Sequence, residues 1–122
     1  MRRCLIVDDS SVVRKIARII LEGMGYEVAE AENGKEALES CKANPPDAIL
    51  LDWQMPVMGA LEFLTGLRIH TSGKRPYIVY LTTENDFADI SRAYTAGADA
   101  FLLKPFDRAA LEEKFLPGNL AA

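Results

Sequence analysis

Short apolar runs alternate with segments of helical periodicity along this chain. Five runs are short enough for strands: residues 4–7, 26–31, 48–51, 77–81 and 100–103. They alternate with segments whose apolar residues recur every three or four positions, as on the buried face of a helix: residues 12–24, 35–43 and 60–67, a segment ending at residue 96, and a last one after residue 107. This alternation predicts an α/β fold, a doubly wound five-stranded parallel sheet with five helices and right-handed crossovers.

Residues that begin helices stand where the periodicity requires them. Ser10 or Ser11 can cap the first helix, because a hydroxyl oxygen accepts a hydrogen bond from a free amide of the first turn. Asp107 is expected to cap the last helix in the same way. Asn33 and Gly34 predict a turn before the second helix.

The strand predicted at residues 48–51 is the centre of the sheet. It is a continuous apolar run bounded by prolines, which is typical of a strand buried on both faces. Asp52 follows it directly, at the carboxyl edge where ligands bind in open α/β sheets. An aspartate that only begins a turn would have the same local sequence, so the interpretation depends on what the other strands bring to this edge.

Polar residues also follow other predicted strands. Because the carboxyl ends of parallel strands meet at one edge of the sheet, we expect these residues to lie near Asp52. The candidates are Asp8 and Asp9, Asp52, Thr82 and Lys104. Each alone has an ordinary structural explanation, but together the three carboxylates would repel one another unless a cation lay between them. Oxygen ligands favour Mg²⁺. A magnesium-bound Asp52 could then attack a phosphorus atom, with Thr82 and Lys104 binding the phosphoryl oxygens.

Composition limits the other possibilities. With 122 residues, 49% of them hydrophobic, the chain is sized for a single domain over residues 1–122. The net charge of −4 argues against nucleic-acid binding, and the absence of a long apolar stretch predicts a cytoplasmic protein without membrane contact. Cys4 and Cys41 lack zinc or redox spacing and are interpreted as reduced structural thiols. His70 is expected in a polar surface loop, and the tail, 117–122, is expected to be frayed.

Four segments of the sequence, VDDSSVVRK, LLDWQMPVM, LTTEND and AGADAFLLKPF, together resemble the receiver domains of two-component response regulators. The similarity is greatest to single-domain receivers of the chemotaxis type, and it extends from residue 4 to about residue 116. It implies a flavodoxin-like fold with strand order 2-1-3-4-5. It also implies a phosphoacceptor protein rather than an enzyme, limited to self-phosphorylation and slow autodephosphorylation, with Mg²⁺ as cofactor.

The resemblance also implies roles for individual residues. Asp52 would be the phosphoacceptor, and Thr82 and Lys104 would bind the phosphoryl group. The implied Mg²⁺ ligands are Asp8, Asp9, Asp52 and the main-chain carbonyl of Gln54. Lys104 and Pro105 resemble the pair that these domains join by a cis peptide bond.

A conformational switch is a further implication of the resemblance. Phosphorylation would draw Thr82 toward the phosphoryl group, and Phe101 would rotate into the space behind it. The surface formed by the fourth helix, fifth strand and fifth helix would then change its affinity for a partner. The alternative for Phe101 is a permanently buried core aromatic.

Some positions depart from the family pattern. Gly59 and Ala60 stand where Asp-Gly is usual, so the loop before the third helix could differ if it needs a positive φ at the glycine. Thr83 stands where Ala or Gly is common and could hinder access of the phosphoryl group. Gln54 and Glu84 occupy positions that tune how water reaches the acyl phosphate.

A phosphohistidine on a histidine kinase or phosphotransfer protein is the phosphodonor that the resemblance implies, and the chain is expected to be a monomer acting on an unidentified downstream protein. The first helix could dock the donor through a surface containing Val12, Arg14, Lys15 and Arg18, or those residues could simply be solvated. A phosphate sink and a phosphorylation-independent interaction domain are alternative functions. A dehalogenase-type phosphatase is weakly supported, since such an enzyme has an acid two residues after its nucleophile and this chain has none there. A flavin carrier is disfavoured, because the Asp8–Asp9 pair would repel the flavin phosphate.

Overall fold

Five strands form one parallel sheet in the computed structural model, which describes residues 2–52, 58–70, 75–82 and 87–120. The strand order is β2-β1-β3-β4-β5, as the resemblance implied. The strands are β1 (Arg3–Val7), β2 (Glu27–Ala31), β3 (Ala48–Asp52), β4 (Tyr77–Thr82) and β5 (Ala100–Leu103).

Helices connect the strands and cover both faces of the sheet. They are α1 (Ser11–Gly23), α2 (Gly34–Ala43), α3 (Ala60–His70), α4 (Phe87–Ala96) and α5 (Arg108–Lys114), followed by a short α6 (Pro117–Leu120). Among the residues described, none of these helices has the length and apolarity that crossing a bilayer demands.

Alternate residues of each strand pack on opposite faces, so the sheet separates two hydrophobic clusters. One cluster lies under α2, α3 and α4 and contains Leu51 and Tyr80 from the sheet and Phe63 from α3. The other lies under α1 and α5, with Leu50 packed in the same cluster as Phe115. All five residues of β3 are buried, which confirms its predicted central position.

Both cysteines are free and buried, as predicted. Burial disfavours their thiolate forms, raising the pKa of Cys41 to about 11 and that of Cys4 further. These thiols fill core space and are poor nucleophiles.

The predicted caps are present, with one correction. The Ser10 hydroxyl accepts a hydrogen bond from Val13 N at 3.3 Å, and Asp107 accepts one from Ala110 N at 2.7 Å. Asn33, predicted to form a turn with Gly34, instead caps α2 directly, and Gly34 is the first helical residue.

Two predicted ends of secondary structure were wrong. The third helix does not stop at residue 67 but continues to His70, because no glycine or proline lies between residue 67 and residue 73; His70 is therefore helical rather than in a loop. The tail is not frayed over 117–120, since Arg2 Nη1 donates to Pro117 O at 3.0 Å and Asn119 Nδ2 donates to Glu113 O at 2.9 Å. Residues 121–122 lie outside the described chain.

Candidate functional site

The polar residues predicted to meet at the carboxyl edge of the sheet do so. Asp8 and Asp9 follow β1, Asp52 ends β3, Thr82 ends β4, and Lys104 follows β5. Asp8, Asp52 and Thr82 are buried, whereas Asp9 is exposed. The site is therefore a small polar group set into an apolar sheet edge and open to solvent on the side of Asp9.

Three carboxylates form the centre of the site. Asp8, Asp9 and Asp52 each offer an oxygen, and these oxygens all lie within 4.8 Å of one another. Hard divalent cations with a preference for oxygen, Mg²⁺ above all, fit such a donor set, because a few carboxylates leave coordination positions for water and for a phosphate oxygen. The residues present thus suit the metal that the sequence predicted.

Lys104 supplies positive charge to two of these acids. Its Nζ lies 2.9 Å from Asp8 Oδ2 and 3.4 Å from Asp52 Oδ1. Burial alone would lower the pKa of Lys104, but the two carboxylates outweigh it and raise that pKa above its ordinary value. Its main-chain N donates to Thr82 O at 2.7 Å, and its peptide bond to Pro105 is cis, as predicted.

The pKa of Asp52 is raised toward neutral pH. Burial and the charge of Asp8 raise its pKa to about 6, against the opposing effect of Lys104. The carboxylate is therefore ionised at neutral pH and becomes protonated under mild acid. An ionised, poorly solvated carboxylate beside a fixed cation can act as a nucleophile.

Asp8 is held at every polar atom. Oδ1 accepts from Ser10 N at 2.9 Å, Oδ2 pairs with Lys104, and its main-chain N donates to Ala31 O at 3.1 Å. Its carbonyl accepts a hydrogen bond from Arg14 Nη1 at 2.7 Å. The sequence interpretation missed this contact and placed Arg14 on a docking surface.

Thr82 and Phe101 lie on adjacent strands. Thr82 is paired in register with Leu103, and Phe101 with Tyr80. Phe101 is partly buried and packs against the cluster under α2, α3 and α4. It is therefore neither enclosed in the core nor free in solvent.

Several predicted features fall on residues that the structure does not describe. The carbonyl of Gln54 and the side chains of Thr83 and Glu84 are among them. Gly59 and Ala60 are described. Ala60, which stands where the family has glycine, is the first residue of α3 and is therefore in right-handed helical conformation, and Gly59 does not have a positive φ either. The chain therefore needs no left-handed residue at these two positions.

Comparison with known proteins identifies the family. Residues 4–116 match the family described as the response regulator receiver domain. The chain belongs to the response regulator receiver family. Receiver domains are phosphoacceptor signalling proteins that bind Mg²⁺ in an acidic site, and signalling by phosphorylation is implied by this membership.

The receiver is of the chemotaxis type. It is 40% identical over 114 residues to chemotaxis protein CheY1 of Helicobacter pylori, an alignment that covers 92% of each chain. The structure of chemotaxis protein CheY4 from Vibrio cholerae is 35% identical, superposes with a TM-score of 0.87, and is covered over 95% of its length by 93% of this chain.

A third relative bears on the metal. The receiver domain of a sensor histidine kinase from Pseudomonas aeruginosa is 30% identical, with 92% of each chain covered and a TM-score of 0.82. That structure has a magnesium ion coordinated in its active site cleft.

Proposed function

We propose that this receiver is a phosphorylation-activated switch in which Asp52 accepts a phosphoryl group from a phosphohistidine in a Mg²⁺-dependent reaction. The observation that carries the proposal is the grouping of Asp52 with Asp8 and Asp9 within 4.8 Å, beside the ammonium of Lys104. No single strand end in this chain would suggest the reaction. The combination of a buried nucleophile, a cation site and a fixed positive charge does.

The proposed chemistry is a displacement at phosphorus. An oxygen of Asp52 attacks the phosphorus atom, forming an O–P bond as the P–N bond to the donor histidine breaks, and the electron pair of that bond returns to the imidazole nitrogen. The product is an acyl phosphate. Lys104 would leave its pairing with Asp8 to bind one phosphoryl oxygen, and the Thr82 hydroxyl would donate to another.

Three side chains would hold the cation. Asp8, Asp9 and Asp52 supply carboxylate oxygens, and the carbonyl of Gln54 is proposed as a further ligand. Bound Mg²⁺ would neutralise charge on the carboxylates and on the transferred group. The exposed side of the site, at Asp9, gives the donor room to approach.

The proposed response to phosphorylation involves two residues near the sheet edge. Thr82 would move toward the phosphoryl group, and Phe101, which is only partly buried, would rotate inward behind it. The outer surface of α4, β5 and α5 would change shape as a result. A downstream protein that binds this surface would then distinguish the two states.

The proposed docking surface for the phosphodonor is the outer face of α1. Val12, Ile16 and Ile19 are 64%, 47% and 59% exposed and follow one another at helical spacing directly after the acid pair. Lys15 is exposed beside them. An apolar stripe of this kind suits the helix of a histidine kinase or phosphotransfer protein.

The sequence placed Arg14 and Arg18 on that surface as charged residues available to a partner, but in the structure both are engaged within the chain. Both arginines pair with Glu30 of β2, and Arg18 also pairs with Glu22. The docking surface is therefore more apolar than predicted.

Intact-mass spectrometry tests the proposal. After incubation with acetyl phosphate and Mg²⁺, the wild-type chain should gain one phosphoryl group, and neither Asp52→Ala nor wild type in EDTA should gain any. Circular dichroism of Asp52→Ala controls for folding. A phosphoryl group that appears on Asp52→Ala, or none on wild type, would reject Asp52 as the acceptor.

A further inference from the structure

The cation site leaves one ligand without support from packing. Asp8 and Asp52 are buried and paired with Lys104, but Asp9 is exposed. The direction of an exposed carboxylate depends on the backbone that carries it, here the peptide between Asp8 and Asp9. Whatever fixes this peptide also restricts the positions that the third carboxylate can reach.

The sheet fixes only one side of that segment. The paired register of β1 and β2 ends at Val7 and Ala31, and Asp8 N makes a last hydrogen bond to Ala31 O. The Asp8 carbonyl, which is part of the peptide leading to Asp9, accepts from the Arg14 side chain at 2.7 Å. Arg14 thus acts on the backbone of the site from the first turn of α1.

The guanidinium of Arg14 is itself held in place. Its Nε lies 3.0 Å from Glu30 Oε1, and its side chain is only 16% exposed. The other oxygen of Glu30 accepts from Arg18 Nη1, and Arg18 Nη2 donates to Val28 O at 3.2 Å. Glu30 therefore anchors Arg14 to strand β2, and Arg18 anchors Glu30.

We infer that Arg14 is a positioning residue for the divalent-cation site: held by Glu30, it fixes the Asp8 carbonyl and through it the direction of Asp9. The inference rests on the proposed function, since it concerns the same cation. Arg14 would touch neither the cation nor the phosphoryl group.

The charge of Arg14 makes the inference testable, because charge and position predict opposite results. A positive charge beside three carboxylates repels a cation, so its removal would tighten Mg²⁺ binding if charge alone mattered. Loss of a group that orients metal ligands weakens binding, typically by 10-fold to 100-fold. The sign of the change in affinity separates the two.

Arg18→Met is the matched control for Arg14→Met. Both substitutions remove one positive charge from α1 and one partner from Glu30, but only Arg14 contacts Asp8. By isothermal titration calorimetry, we expect Arg14→Met to weaken Mg²⁺ binding about tenfold and Arg18→Met to change it by about twofold or less.

A comparison of the affinities for Mg²⁺ and Ca²⁺ distinguishes a misplaced metal ligand from a general loss of stability. Mg²⁺ demands near-ideal octahedral geometry, whereas Ca²⁺ tolerates irregular sites. Arg14→Met should therefore lose more affinity for Mg²⁺ than for Ca²⁺, and Arg14→Lys, which keeps the charge but offers a single donor group, should recover only part of the loss. A change in charge or overall stability would affect both cations alike.

Glu30→Gln is the second variant, and it keeps the test decisive if Arg14→Met fails to fold. It leaves Arg14 present but weakens its anchor, so a smaller loss of Mg²⁺ affinity is expected, and the Arg14→Met/Glu30→Gln pair should bind no more weakly than Arg14→Met alone. Unchanged or tighter Mg²⁺ binding in Arg14→Met, or in Glu30→Gln where Arg14→Met is unfolded, overturns the inference. A wild-type chain that binds no Mg²⁺ overturns the proposed function as well.

Discussion

At the scale of single residues, Asp52 combines two opposing requirements. As the last residue of β3 it is buried, and burial beside Asp8 raises its pKa to about 6. Its proposed role as nucleophile requires the ionised form, which Lys104 favours from 3.4 Å. Ionisation of Asp52 at neutral pH therefore lowers the free energy of unfolding.

Asp52→Asn should stabilise the protein when no divalent cation is present. The pKa of Asp52 is about 6 in the folded protein and 3.8 ordinarily, so the folded state binds more protons between these values. Stability therefore falls as the pH rises from about 4 to about 6 and stays lower above it. Asn removes this loss, and we expect a gain of about 1 to 2 kcal/mol near pH 8 and very little near pH 4.

Thermal unfolding in EDTA at both pH values measures the effect. Asp9→Asn is the control, because it removes an acid from the same cluster at an exposed position and should gain less. An Asp52→Asn variant no more stable than wild type near pH 8 would mean that ionised Asp52 does not destabilise the folded protein.

At the scale of helices and strands, the start of α2 shows how one close contact shapes the region around the site. Asn33 caps the helix by accepting from Glu36 N at 2.9 Å. A Cβ on the next residue, Gly34, would lie 2.6 Å from Met58 O. Met58 lies just before α3, on the chain that leaves the site after Asp52. Because any Cβ at residue 34 would clash with Met58, only glycine allows the start of α2 to approach this segment so closely.

Gly34→Ala should destabilise the protein, because the main chain at Met58 must shift to make room. We expect a loss of about 1 to 3 kcal/mol in the free energy of unfolding, measured by urea denaturation. Gly59→Ala is the matched control, since its Cβ would meet no atom of the described residues within 4 Å and its φ is not positive; it should change stability by about 0.5 kcal/mol or less. Equal stability of Gly34→Ala and Gly59→Ala would contradict this account of the contact.

These elements also show what the sequence could and could not predict. Strands were predictable because short apolar runs end at polar residues, and Asp107 was recognisable as a cap from chemistry within one turn. The continuation of α3 to His70 was not, because Ile69, the apolar residue that it adds, is out of phase with Leu64 and Leu67. Nor was the role of Gly34, which depends on a contact with distant Met58.

At the scale of the whole molecule, the site exists only because the sheet is parallel. Strand ends that are distant in sequence meet at one edge, so the grouping of Asp8, Asp52 and Lys104 could be predicted from a parallel sheet together with the strand order that the resemblance implied. The Arg14–Glu30 support could not, since it depends on the register of β1 against β2 and on side-chain conformations. The sequence thus predicted which polar groups meet at the sheet edge better than it predicted the side-chain contacts around them.

The most direct test of the central claim is a crystal structure of the wild-type chain with Mg²⁺ and beryllofluoride, a mimic of the phosphoryl group. We predict beryllium bound to a carboxylate oxygen of Asp52, Mg²⁺ bound by Asp8, Asp9 and Asp52, and fluorides contacting the Thr82 hydroxyl and Lys104 Nζ. A structure in which Asp52 carries no beryllofluoride at saturating concentration, while Lys104 still bridges Asp8 and Asp52, would contradict the account.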